Sequence, residues 1–118
     1  MASPYRVIIR RRAKTEKHAF ATLAEALDAL ETELRAAATV TARYQRVEKG
    51  LGREYAPGQQ VALRGELRGP ARLRAGIDVR GDGAAEAFTG VVQRRLIEQR
   101  PREDAYAALR RVLVDGDD

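Results

Sequence analysis

Arginine dominates the side chains of this 118-residue chain that could recognise a ligand, because of its 22 basic residues only Lys14, Lys17 and Lys49 are lysines. A guanidinium fork binds phosphate or carboxylate through two parallel hydrogen bonds and keeps its charge at every pH a protein meets. Arg6 and Arg10 fall on the polar parity of a strand-like stretch from Tyr5 to Arg12, and Arg64, Arg68, Arg72, Arg74 and Arg80 do the same in two later stretches. Together with Arg11 and Arg12 they form the candidate nucleic-acid-binding set. Such an array tracks a phosphate backbone, releasing counterions at each contact, with little sequence specificity. The plainer alternative is a solvated face on which these arginines pair across strands with Glu66 and Asp78. The absence of Asn and the abundance of Ala, Gly and Arg also fit a GC-rich coding sequence, which would raise arginine content without regard to function.

Other residue types offer less. His18 is the single histidine, beside Lys17 in a polar stretch, with no acid or nucleophile placed to make it a general base. Asp78, Asp82 and Glu86 recur every four residues around a glycine-rich turn, which is not the ligand spacing of a calcium loop. Gly50-Leu51-Gly52 lacks the third glycine and the preceding strand of a dinucleotide fingerprint, and no lysine follows a glycine run as phosphate cradles require. Arg80-Gly81-Asp82 spells an adhesion tripeptide, but it stands in a turn of an arginine- and glycine-rich chain. With no cysteine there is neither thiolate chemistry nor a disulfide. No catalytic residue, metal site or cofactor is expected, and the chain is taken to be no enzyme.

These arginines need elements to hold them. Tyr5, Val7 and Ile9 alternate with Arg6, Ile8 and Arg10, the period of a half-buried strand. Residues 13–21 read as a polar connection. Thr22 and Glu25 make a capping box, and Leu23, Leu27, Leu30 and Leu34, with Ala26 and Ala37, give the following helix one apolar stripe. Past Ala38 the β-branched Thr39, Val40 and Thr41 disfavour helix, while Thr41, Tyr44 and Val47 prolong the stripe, so a continued or second helix is expected to about Lys49. Gly50 and Gly52 end it, and Ala56-Pro57-Gly58 marks a turn. Residues 60–68 alternate, Gly69-Pro70 makes a bend, residues 72–80 alternate again, and Gly81-Asp82-Gly83 turns into a third strand over residues 86–98 with Phe88, Val92 and Leu96 on one side. A last helix starts at Pro101 and buries Ala105, Leu109 and Val112, with Glu103 and Asp104 at the positive end of its dipole and Arg110 and Arg111 at the other.

The order β-α-β-β-β-α predicts an α+β two-layer sandwich, a four-stranded, mostly antiparallel sheet with helices on one face. The length suits a single domain over residues 1–118, with 114–118 a frayed acidic tail. The meander followed by a helix resembles double-stranded RNA-binding domains in order of elements alone. Arg102-Glu103-Asp104 is acidic where that family is lysine-rich, so no function is carried over. Net charge is +5, yet residues 1–20 hold six basic side chains and one acidic, whereas 21–39 hold four acidic and one basic. The sheet side is therefore positive and the helix side mixed, which points to an acidic partner, nucleic acid or protein. The expected function is a cytoplasmic, non-enzymatic binding module with no membrane contact. The alternative is a protein-interaction or homo-oligomeric adaptor, a homodimer among its forms, that uses an edge strand or the helical stripe past Ala38.

Overall fold

The computed structural model describes residues 3–11, 14–50, 61–90 and 93–116, and the side chains of its long helix as far as Thr39. Eight elements follow in the order β1 (Tyr5–Arg11), β2 (Lys14–Phe20), α1 (Leu23–Gly50), β3 (Val61–Gly69), β4 (Leu73–Arg80), β5 (Ala85–Thr89), β6 (Arg95–Leu96) and α2 (Ala105–Asp115). The strands form one antiparallel sheet in the order β2-β1-β3-β4-β5-β6. Val7 and Ile9 of β1, Leu63 and Leu67 of β3, Ala75, Ile77 and Val79 of β4 and Ala87 of β5 share a single core with both helices. The α+β class and the helix-covered face are as expected. Six strands replace the expected four.

The two additional strands left no hydrophobic period. β2 occupies the stretch read as a polar connection, and it pairs with β1 from Tyr5 opposite Phe20 to Arg11 opposite Lys14. As an edge strand it is exposed or only half-buried along its length, so no selection for alternation acts on it. The long third strand expected over residues 86–98 stops at Thr89, because Gly90 takes φ 89° and turns the chain. β6 then returns antiparallel, with Phe88 opposite Leu96. Leu96 is 68% exposed while Phe88 is buried, so the pair does not form a shared apolar face. Val92, Gly52, the turn Ala56-Pro57-Gly58 and the side chains of Thr41, Tyr44 and Val47 lie outside what is described.

α1 starts as its capping box predicts: Thr22 Oγ1 accepts the Glu25 N–H at 3.2 Å and donates its hydroxyl proton to the Glu25 carboxylate at 2.9 Å. Leu27, Leu30 and Leu34 are buried on the sheet, each contributing about 2 kcal/mol of apolar burial. The helix continues unbroken through the β-branched run to Gly50. Over the central strand it comes close enough that a Cβ on Gly65 would stand 2.5 Å from Leu30 Cδ1 and 2.7 Å from Leu34 Cδ1.

α2 starts later than expected. Arg100 to Glu103 form a turn closed by the Glu103 N–H donating to Arg100 O at 3.0 Å, with Pro101 second and Arg102 third at φ 68°. Asp104 is the N-cap, accepting the Ala107 N–H at 2.8 Å. The helix reaches Asp115, two residues into the stretch read as tail, and Gly116 caps it at φ 68°. Arg110 and Arg111 serve other elements than the helix end. Arg110 donates to Asp28 at 2.9 Å and Glu31 at 3.2 Å of α1, and Arg111 grips Glu103 at 2.9 Å and 3.1 Å.

The β3–β4 hairpin turns one residue later than Gly69-Pro70. Leu73 N–H donates to Pro70 O at 3.2 Å around Ala71 and Arg72, whose φ angles are 57° and 60°. Two left-handed residues make the turn whose twist matches a hairpin, but asparagine and glycine suit those positions. Each L-residue there costs roughly 1 kcal/mol, so Ala71→Asn with Arg72→Gly should stabilise the fold by about 1–2 kcal/mol. A rise in the urea midpoint at constant slope is the expected result, and a fall would contradict the left-handed turn.

Acid should loosen the segment before α2. The Asp104 carboxylate lies below its ordinary pKa because it accepts from the Ala107 N–H and from Arg35, and Glu103 lies below its own because of Arg111 and the Arg100 N–H. Groups depressed on folding stabilise fully above their unfolded pKa, about 4, and lose that contribution as pH falls through the lower folded value. The urea midpoint should therefore be insensitive to these two groups near neutrality and decline below about pH 4. Asp104→Asn, which keeps an N-cap acceptor, should blunt the decline.

Candidate functional site

Both helices pack on one side of the sheet, so the other side is built from the residues of opposite parity. Register places them in three cross-strand rows. One runs Thr15, Arg10, Arg64, Asp78, Glu86; the next runs Lys17, Ile8, Glu66, Gly76, Phe88, Leu96; the third runs Ala19, Arg6, Arg68, Arg74.

The first two rows are largely neutralised. Arg64 grips Asp78 with Nε at 2.6 Å and a second nitrogen at 3.2 Å, and this bonding holds its guanidinium above the ordinary pKa. Arg10 and Arg68 share Glu66, each at 3.3 Å, and Arg80 meets Glu86 at 3.1 Å. These are the cross-strand pairs that a solvated face would make, and the strand ladder keeps their partners in place.

The third row differs in kind. Arg6 stands opposite Arg68, and Arg68 opposite Arg74, so three guanidinium side chains lie side by side across β1, β3 and β4. Neither Arg6 nor Arg74 makes an ion pair or hydrogen bond among the described residues. Like charges directly opposite in a sheet are destabilising. The row carries one shared carboxylate, Glu66, at its side.

Next to the row the open face has an apolar floor. Phe88 is 3% exposed and Ile8 4%, yet neither belongs to the core beneath the helices. Phe88 lies across Gly76, where a Cβ would stand 2.6 Å from its ring and 2.3 Å from Gly65 O. Arg94 lies over the same ring, its guanidinium carbon 4.7 Å from the centroid, and reaches Asp78 at 3.8 Å. Glu66, Arg68, Arg74, Phe88, Gly90 and Arg94 border a small, shallow depression open to solvent.

Of the sequence-predicted residues, Arg6, Arg10, Arg64, Arg68, Arg74 and Arg80 share the open face. Arg72 does not, because it sits in the hairpin turn. Arg11 has the parity of Ile9 and Leu63, which turns it to the helix side, where it meets Glu16 at 3.6 Å. Arg12 lies outside the described residues. Phe88 and Arg94 were missed as site residues. Gly76 inside a strand was the available signal, since a strand glycine marks a place where another group approaches closely.

Among the described residues no cluster of His, Cys, Asp or Glu could hold a metal ion, and no helix is long and apolar enough to cross a membrane. Comparison with family models, curated proteins and solved structures finds no match to this chain.

If the third row carries unrelieved repulsion, shortening it should help folding. Arg74→Thr, a residue suited to strands, should raise stability by about 0.5 kcal/mol in low salt, with the gain shrinking as salt screens the row. Loss of stability in urea titrations would mean that Arg74 contributes packing that outweighs its charge.

Proposed function

We propose that this chain is a non-enzymatic, cytoplasmic binding module whose open sheet face takes the phosphate backbone of a nucleic acid with little sequence specificity. The observation that supports the reading is the Arg6–Arg68–Arg74 row. Neighbouring rows show how this chain neutralises arginines, with a carboxylate one strand away, whereas in the third row Arg68 alone has a carboxylate, the Glu66 it shares with Arg10, and Arg6 and Arg74 have none among the described residues. Three cationic forks about 5 Å apart from strand to strand suit an extended polyanion better than a single small anion. Glu66 would bias that polyanion toward Arg6 and Arg74 and away from Arg10.

A second reading, an acidic protein partner or a second copy of the chain, draws on β2. This strand has seven residues and pairs on one side only, so its outer backbone groups are available for strand addition. Lys14 and Lys17 on it are side chains that usually discourage such pairing.

Fluorescence anisotropy with short DNA and RNA, over a salt series, tests the first reading. Binding should weaken with a log-log slope of about −2 to −3, reflecting a few phosphate contacts. Arg6→Ala with Arg74→Ala should flatten the slope by about 1–2, while Glu66→Gln should tighten binding severalfold by removing the carboxylate that Arg10 and Arg68 share. Binding to an acidic polypeptide, with none to any oligonucleotide at low salt, would transfer the face to a protein partner.

A further inference from the structure

We infer that the nucleic acid accepted by this face is single-stranded, with one unpaired base stacking on the outer plane of Arg94. The inference rests on the phosphate-backbone reading and adds to it the class of strand. Its basis is the junction of two features in one depression: the cationic pair Arg68 and Arg74, and the placement of the Arg94 guanidinium over the buried Phe88 ring.

The stack is built from below. Gly76 leaves room for the Phe88 ring to lie on the sheet, and the backbone of Gly65 lies close beneath. The buried ring gives the Arg94 guanidinium a firm surface to rest over. Arg94 keeps a solvent-facing side: its guanidinium carbon lies over the ring, 4.7 Å from the centroid, its contact with Asp78 is long at 3.8 Å, and 37% of the side chain is exposed. Guanidinium planes, like aromatic rings, are surfaces on which unpaired bases stack, and a plane already held in position loses little freedom when a base arrives.

A duplex could not use this arrangement, since its base faces are occupied by neighbouring pairs. The arginine row spans two interstrand spacings, roughly 10 Å, a length that one extended strand can follow. A single strand can lay its phosphates along Arg6, Arg68 and Arg74 and turn a base toward Arg94 in the adjoining depression. Among the described residues no exposed ring borders the depression, so the stack on Arg94 should tolerate any base and add strand preference without sequence preference.

Three labelled probes of equal length, about 12 nucleotides, decide the matter: a single strand, its duplex, and an abasic single strand that keeps the phosphates. The single strand should bind about tenfold more tightly than either of the others at one salt concentration. Arg94→Lys keeps the charge and removes the plane. It should lower single-strand affinity about fivefold while leaving duplex affinity and the salt slope unchanged, with its urea midpoint confirming that the fold persists. Equal or tighter binding of the duplex or the abasic strand would overturn the inference and leave the backbone reading standing. Absence of binding by all three probes at low salt would remove both.

Discussion

Gly65 and Gly76 are diagonal neighbours at the centre of the sheet and open it toward opposite sides. Gly65 stands opposite Ile77 and leaves space for Leu30 and Leu34, so α1 settles directly on the central strand. Gly76 stands opposite Glu66 and Phe88, and the missing Cβ lets that ring lie flat on the other side. A side chain at 65 would meet the ends of two leucines, which have some freedom to shift. A side chain at 76 would meet a carbonyl oxygen held in the ladder, which has little. The closeness of the helix and the presence of an aromatic floor on the open face thus both depend on two positions where bulk is absent.

The distribution of charge follows from this division. On the helix side, arginines connect elements: Arg35 joins Glu31 of α1 to Asp104 and lies over Tyr106, Arg110 reaches back to α1, and Arg111 holds the turn before α2. Exposed pairs of this sort add little each, and their effect is to fix how α2 is presented. On the open face, Glu66, Asp78 and Glu86 are each engaged by arginine, so the carboxylates there are committed. What remains is the cationic row.

Much of the fold was legible because amphipathic elements record their burial. The Thr22–Glu25 cap, the leucine stripe of α1 and the alternation in β1, β3 and β4 all reappear in the structure. β2 escaped because an exposed edge strand has no buried face to write into its sequence; the ladder to β1 holds it. The break at Gly90 escaped because an isolated glycine in an alternating run is also compatible with a continuous strand. The open face was partly legible. Parity separated Arg6, Arg10, Arg64, Arg68, Arg74 and Arg80 correctly, but parity does not give register, and register decides whether an arginine faces Asp78 or another arginine. Arg72 was misplaced for a related reason, since a one-residue shift of the hairpin turn moved it off the strand.

Arginine-rich coding offers an account of why arginine is common here, but it does not account for where the unpaired ones lie. Arg72, Arg95 and Arg102 also lack partners among the described residues, and they stand in a turn, in a two-residue edge strand and ahead of a helix, where water solvates them freely. Arg6 and Arg74 are different because the backbone ladder fixes each beside Arg68 and they cannot separate by moving the chain. A composition bias acting alone would meet no resistance at loops and some resistance at such a row. In the proposed reading a negatively charged occupant would compensate for that resistance, through the same electrostatics that set like charges in the row against one another.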